Sequence, residues 1–119
     1  MSLDIYLERS VWISYDEGKT YAQKTEPVYR ANITHNLIKM AKEAGIYEAI
    51  WAPEKIEKTK ASEIVEILEK GLADLKERPE YFKKFNSSNG CGIYIDFVPF
   101  VEQYLEACKE YPNCIIRTF

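Results

Sequence analysis

The spacing of apolar residues changes near residue 32, and this change constrains the fold more than any other feature of the sequence. Before it, Leu3 to Leu7 has apolar side chains at its odd positions, which is the period of a strand with one buried face. After it, apolar residues recur at helical spacing. A chain that begins with strand periodicity and continues with helical periodicity is predicted to be an α+β domain.

The N-terminal third predicts a β-hairpin. Val11 to Tyr15 continues the strand pattern, Asp16-Glu17-Gly18-Lys19 has turn-forming chemistry, and Thr20 to Gln23 can return as the second arm. Pro27 interrupts the next stretch, because proline cannot donate to a strand ladder. Val28 to Ala31 is therefore predicted to be at best a short edge strand.

Three main helices and a final strand are predicted beyond the hairpin. The helices have apolar stripes at a period of about 3.6 residues, and each lies between capping and terminating residues. Terminal strands at both ends predict a small, mostly antiparallel sheet with the three helices on one face. The predicted helices run from Asn32 or Thr34 to Gly45, from Thr59 to Arg78-Pro79 and from Asp96 to Pro112, and the final strand is Cys114 to Phe119.

Length and charge exclude several classes of protein. A chain of 119 residues with 46% hydrophobic residues suits one domain, here residues 1 to 119. The net charge of -3 lacks the positive field that non-specific nucleic-acid binding requires. No run is long and apolar enough for a membrane span, and the N-terminus has no secretory signal. We therefore expect a cytoplasmic protein without a membrane partner.

The usual catalytic and metal-binding signatures are absent from the sequence. Its single histidine and three cysteines, Cys91, Cys108 and Cys114, have no metal-ligand or disulfide spacing. There is no phosphate-binding loop and no nucleophile elbow. We predict no metal and no cofactor, and an enzyme is less expected than a binding protein.

A polar cluster surrounds the single histidine at the start of the first predicted helix. Asn32, Thr34, His35 and Asn36 would crowd this helix start beside unpaired backbone amides. A neutral His35 there could donate to a phosphate or carbonyl oxygen, since a helix N-terminus attracts anions. Alternatively, the cluster only caps the helix. Both interpretations remain open at this point.

A glycine-containing loop is the second candidate. In Asn89-Gly90-Cys91-Gly92 the glycines can adopt positive φ angles, so that successive amides converge on an anion. The same residues would also serve as a tight connector. Cys91 adds an enzymatic alternative, in which its thiol is the nucleophile and His35 the base.

Aromatic residues are numerous, with 2 Trp, 9 Tyr and 5 Phe. Trp51 or Tyr94 could stack on a nucleotide base, although such rings more often fill cores and interfaces. Trp12 and Tyr15 lie in the predicted hairpin. Because one small core does not need so many rings, we expect a homo-oligomer.

Several segments carry a resemblance to a family of small phage and bacterial proteins of unknown function. In that family an aromatic residue commonly stands where this chain has Cys91, and the hairpin from about Arg9 to Lys24 resembles an insertion. The resemblance implies no transferable activity, but small phage proteins without catalytic signatures often act by binding. The matching segments are Asn32-Ile33-Thr34-His35-Asn36-Leu37, Glu43 to Pro53, Ile67 to Leu72, Pro79 to Asn86 and Phe97 to Leu105.

Three functional hypotheses follow. The first is a non-catalytic, phage-type protein that sequesters a small polar ligand such as a nucleotide-derived host defence signal. The second is an inhibitor that occludes a host protein with the hairpin at about residues 9 to 24. The third is a thiol-dependent enzyme that uses Cys91 and His35. The ligand-binding residues of the first hypothesis are Asn32, Thr34, His35, Asn36, Trp51, Asn89, Gly90, Gly92 and Tyr94.

Overall fold

A computed structural model describes residues 1 to 119 and has five α-helices and three strands. Short 3-10 turns at His35–Leu37 and Ala61–Ile64 lead directly into the first and third α-helices, and another, Pro53–Ile56, follows the second. The elements are β1 (Ser2–Ile13), β2 (Ala22–Thr34), α1 (Ile38–Glu43), α2 (Tyr47–Trp51), α3 (Val65–Glu77), α4 (Pro79–Lys83), α5 (Tyr94–Glu110) and β3 (Ile115–Thr118).

The sheet is antiparallel with the strand order β2-β1-β3. The central strand β1 pairs along its whole length with β2, but β3 pairs only with Ile5 to Glu8. The predicted α+β fold, with N-terminal and C-terminal strands joined in one sheet, is confirmed. The outer half of the β1-β2 hairpin has no third strand.

One hydrophobic core lies between the helices and one face of the sheet. The odd residues Leu3, Ile5 and Leu7 of β1 are buried, as the alternation in the sequence predicts. The opposite face of the sheet, with Asp4 and Tyr6, is left uncovered by helices. The largest fully buried side chains of the core are Tyr104, Phe82, Phe97, Ile5, Leu7, Met40, Ile46, Ile50, Ile64, Leu68, Leu75 and Val101.

The second strand corrects one prediction. Val28 to Ala31 is not a short edge strand but part of the thirteen-residue β2. Asp4 and Phe119 exchange both backbone hydrogen bonds, at 3.0 and 2.9 Å, so the even residues of β1 bond towards β3 and the odd residues towards β2. Pro27 lies opposite the even residue Glu8. The nitrogen of Pro27 therefore points to the outer edge of the sheet, so the absence of its N–H costs no hydrogen bond between β1 and β2.

The start of the first helix is also corrected. Asn32 is not a helix cap, because the chain stays extended through Thr34 and Asn32 pairs with Asp4 across the sheet. Thr34 does cap the helical segment, as its Oγ1 accepts from the amide of Asn36 at 3.2 Å. Ile33 fits both a strand and a helix pattern, so periodicity alone could not locate this boundary. Gly45, with φ +75°, ends the helix as predicted.

The cap of the last helix is a further correction. Asp96 does not cap α5, which begins at Tyr94 after the extended residue Ile93. Asp96 lies instead in the first turn, where its negative charge interacts favourably with the helix dipole.

No helix of the structure combines the length and the apolar character required to cross a membrane.

Candidate functional site

His35 is fixed by an internal hydrogen bond. The indole Nε1 of Trp51 donates to His35 Nδ1 at 3.0 Å. Trp51 is 8% exposed and stacks on Tyr47, with 5.7 Å between the ring centroids. Trp51 is therefore packed in the core and does not offer a free face for stacking on a base. His35 itself is half-buried.

This contact determines the tautomer of His35. Because Nδ1 accepts the indole hydrogen, the proton of the neutral imidazole is expected on Nε2. Nitrogen-15 NMR of the imidazole should place Nδ1 in the unprotonated range and Nε2 in the protonated range. Trp51→Phe should remove this preference and lower the unfolding free energy by about 1 kcal/mol. Equal populations of the two tautomers in the parent protein would contradict the bond.

The glycine loop packs directly on the Thr34 to Asn36 turn. Asn36 Nδ2 donates to the carbonyl oxygen of Cys91 at 2.8 Å. A Cβ atom on Gly92 would lie 2.8 Å from Asn36 Cβ and 3.2 Å from Thr34 Cγ2. The close approach and the φ of +102° both require glycine at this position. The two predicted ligand-binding segments are thus neighbours, joined by packing and one hydrogen bond.

Two of the four amides of the Asn89 to Gly92 loop donate to nearby residues. The amide of Gly90 donates to Ser87 O at 3.2 Å, and that of Cys91 donates to Asn89 Oδ1 at 2.9 Å. Tyr94 donates its amide to Asn86 Oδ1 at 2.7 Å and its hydroxyl to Leu75 O at 2.7 Å. The loop is therefore held as a connector, and the ring of Tyr94 is anchored to α3.

The side chain of Asn32 bonds to β1 and not to the other predicted ligand-binding residues. Its Nδ2 donates to Asp4 Oδ1 at 2.8 Å and to Ser2 Oγ at 3.0 Å, on the uncovered face of the sheet. A shallow hollow of about 250 Å³ lies there, lined by Asp4, Tyr6, Arg30, Ala31 and Asn32. The structure thus separates Asn32 from the turn that carries His35.

None of the surface hollows in the structure includes His35, Trp51 or the glycine loop. Besides the hollow at Asn32, one lies between β2 and α5, one lies where β1 meets the chain before β3, and one lies between α3 and α5. No cluster of three or more metal-ligating side chains is present. Apart from Asn32, the predicted ligand-binding residues therefore lie at packed positions that no hollow adjoins.

The cysteines occupy different environments. Cys91 is exposed, and no hydrogen bond joins its thiol to the ring of His35. Cys108 is buried in the core, and this burial raises the pKa of its thiol to about 12. A thiol with so high a pKa is not ionised near neutral pH and is a poor nucleophile.

The segment from Arg9 to Lys24, hereafter the arm, is the outer part of the β1-β2 hairpin. The molecule measures 59 × 27 × 23 Å, and its radius of gyration is 16.5 Å. A compact chain of this length would have a radius of gyration of roughly 13 to 14 Å. The arm carries three strongly exposed aromatic residues: Trp12 (66%), Tyr15 (81%) and Tyr21 (61%).

The tip of the arm is an ordered turn built around one carboxylate. Asp16 Oδ1 accepts from the amide of Thr20 at 2.8 Å, and Oδ2 accepts from its hydroxyl at 2.6 Å. Ser14 Oγ donates to Asp16 Oδ1 and accepts from the amide of Gly18. These bonds, with that of the Thr20 side chain contributing most, lower the pKa of Asp16 to about 2. Tyr15 and Tyr21 thus lie in and beside an ordered turn, and Trp12 lies on β1 next to it.

The ordered tip should resist acid. The pKa of Asp16 in the folded protein lies below its usual value of 3.8. The stabilisation of the tip by the ionised Asp16 carboxylate is therefore fully present above pH 3.8 and is lost as the pH falls through about 2. We expect the amide signal of Thr20 to keep its chemical shift from pH 7 down to about pH 3. Asp16→Asn should shift that signal at all pH values. A titration of the Thr20 signal centred near pH 4 in the parent would contradict this prediction.

Sequence reasoning missed two contacts that organise the junction around His35. The indole of Trp51 lies sixteen residues from His35, and Cys91 lies fifty-five residues from Asn36. No spacing rule connects residues so far apart. In contrast, the hairpin pattern led to the expectation of Trp12 and Tyr15 on the arm, but it did not single out Tyr21.

Comparison with known proteins adds no relative. No protein-family model matches the chain, and neither the curated proteins nor the solved structures include a significant match.

Proposed function

We propose that this chain is a non-catalytic binding protein that captures another protein with its arm. The observation that carries the proposal is the grouping of Trp12, Tyr15 and Tyr21, exposed by 61 to 81%, on one projecting hairpin. Tyrosine and tryptophan are enriched at the centres of protein interfaces, because they bury a large area at a small cost in side-chain entropy. Three such rings exposed together in water are explained by a partner that covers them.

The ordered tip supports the same function. A two-stranded hairpin without a third strand is marginally stable in water. The bonds around Asp16 restrict the tip in the free protein, which lowers the entropy lost when a partner binds. Occlusion of a host protein by a phage-encoded inhibitor is the context that we propose from the family resemblance.

The geometry favours this proposal over sequestration of a small ligand at His35. That hypothesis requires a concave site with convergent polar groups. At His35 the ring nitrogen Nδ1 is engaged by Trp51, and in the adjacent loop the amides of Gly90 and Cys91 donate to Ser87 and Asn89. The same engagement of His35 removes support from a Cys91 enzyme.

The test is quantitative affinity capture from a lysate of the cells in which the protein is made. The parent is compared with a variant that combines Trp12→Ser, Tyr15→Ser and Tyr21→Ser. Loss of two or three buried aromatic anchors should lower the captured amount of specific partners by about a hundredfold or more.

The matched control changes two equally exposed apolar residues outside the arm. Ile95→Ser and Phe119→Ser, at positions exposed by 68% and 72%, should leave capture near the parent level. Equal capture by the parent and the arm variant, with both proteins folded by circular dichroism, would reject the proposal.

A further inference from the structure

The outer edge of β1 has unpaired backbone groups along the arm. Because Asp4 and Phe119 exchange both backbone hydrogen bonds, the even residues of β1 direct their N–H and C=O groups towards β3. The pairing with β3 stops at Glu8. The register of β1 and β2 shifts between Leu7 and Glu8, but the extra residue, Val28, lies on β2, so the alternation along β1 continues. The next even residues, Ser10 and Trp12, therefore direct a donor and an acceptor each towards a position that no strand occupies.

The residues that precede β3 turn away from this edge of β1. Cys114 donates its amide to Tyr111 O at 3.1 Å, so the chain before β3 turns away from β1. Beside the turn lies a groove of about 410 Å³, lined by Glu8, Arg9, Ser10, Tyr111, Pro112, Asn113, Cys114 and Ile115. The groove thus lies at the point where β3 ends and the free edge of β1 begins.

The outer edge of β2 is interrupted at the base of the arm. The outer side of β2 contains Pro27, which has no N–H to offer to an added strand. The cross-strand ion pair of Arg9 and Glu26 joins β1 to β2 at the base of the arm. No proline interrupts β1 between Glu8 and Ile13. The edge of β1 has no proline and continues the line of β3, so of the two edges it suits a further strand better.

We infer that the free edge of β1 is a strand-addition site for an extended segment of the partner protein. The inference rests on the proposed function and names the element that the arm recognises. The segment pairs with Ser10 and Trp12 through backbone hydrogen bonds and continues the line of β3 along the sheet. The edge from Arg9 to Ile13 accommodates about five residues, or roughly 16 Å of strand.

The lining of the groove indicates the chemistry of the partner side chain that lies in it, at the end of the segment nearest to β3. The ring of Tyr111, together with Pro112, Cys114 and Ile115, supplies apolar lining. The two charged residues of the lining are already paired, Glu8 with Arg117 and Arg9 with Glu26. An apolar side chain of the partner segment therefore packs on this lining without leaving either charge unpaired.

A partner segment fits this edge better than a second copy of the chain. In an antiparallel pair of two β1 edges, the tip of each arm would run back along the other β1 past Ser10. There it would meet the turn formed by Tyr111 to Cys114. A single extended segment can end in the groove beside this turn.

The test uses peptides of about eight residues, close to the length of an ordinary strand. They are selected from a random display library on the immobilised full chain. Bound peptides should slow hydrogen exchange of the Ser10 and Trp12 amides, and the enriched sequences should share one apolar position. Ser10→Pro, which removes an outward N–H and no ladder bond, should weaken binding about tenfold or more.

The matched control is Thr25→Pro. Thr25 pairs with Ser10 across the hairpin and directs its N–H to the outer edge of β2. This variant should bind the selected peptides as tightly as the parent does. Equal binding by Ser10→Pro, or protection of amides elsewhere and not at Ser10 and Trp12, would overturn the inference. Analytical ultracentrifugation gives a further outcome. If the parent protein sediments as a dimer and Ser10→Pro sediments as a monomer, the edge pairs with a second copy of the chain and the choice of a partner segment is overturned.

Affinity capture separates this inference from the proposed function. If the serine variant of the arm loses partner capture but Ser10→Pro retains it, the arm binds proteins and strand addition is rejected. If capture does not depend on the arm but selected peptides still protect Ser10 and Trp12, the proposed function is rejected and the edge remains a peptide site.

Discussion

Phe97→Ala should lower the free energy of unfolding by about 3 to 5 kcal/mol, the range for large aromatic truncations in a core. Phe97 is 0% exposed, and its ring stacks with that of Phe100 at 6.4 Å. Truncation removes buried apolar area and leaves a cavity that the neighbouring helices fill only partly. Because a domain of this size has a total stability of about 5 to 15 kcal/mol, this variant should lie close to the limit of folding.

Urea unfolding followed by circular dichroism measures this effect. The control is Ile95→Ala, two residues earlier on α5, where the side chain is 68% exposed. It should change the stability by no more than about 0.5 kcal/mol. Similar midpoints for the two variants would show that the start of α5 does not pack as described.

Gly71→Ala is the second large effect that we expect. Gly71 lies within α3, where alanine ordinarily stabilises a helix by about 0.5 to 1 kcal/mol relative to glycine. Here an added Cβ would lie 2.1 Å from Ile46 Cγ2 and 3.1 Å from Ala44 O. Ile46 is 0% exposed and β-branched, so its side chain cannot move away easily. Overpacking should therefore outweigh helix propensity, with a net loss of about 1 to 3 kcal/mol.

A double-mutant cycle with Ile46→Ala separates the two effects. Ile46→Ala alone should destabilise the protein by about 2 to 5 kcal/mol through a cavity. In the double variant the methyl group of residue 71 enters that space, so the combined loss should be smaller than the sum of the single losses. Strict additivity would show that the two residues are not in contact.

The arm illustrates how much of the candidate site the sequence could predict. Alternation and the turn residues Asp16 to Lys19 predicted the hairpin, and Trp12 and Tyr15 were expected on it. These signals did not predict that the pairing of β3 with β1 stops at Glu8, which leaves the outward backbone groups of Ser10 and Trp12 without a partner. The end of one strand beside another depends on how two distant segments pack, and local patterns contain no such information.

The junction at His35 illustrates the opposite case. The sequence correctly predicted Thr34 as a cap and Gly45 as the helix terminator, because both depend on local backbone chemistry. It also grouped Asn32 with His35, since both would share the start of one helix. The pairing of Asn32 with Asp4 placed Asn32 in β2 instead, and with Ile33 buried against the core the strand runs three residues beyond Ala31, to Thr34.

By itself, the sequence determined the fold class, the three main helices, the pairing of the terminal strands and an arm with exposed aromatic rings. These features follow from hydrophobic period, turn residues and caps, which act over a few residues. Only the tertiary structure decided that Trp51 engages His35, that the glycine loop closes on Asn36, and that β1 keeps a free edge. Contacts of this kind join residues far apart in the chain, and their geometry is set by how the helices and the sheet pack around the shared core.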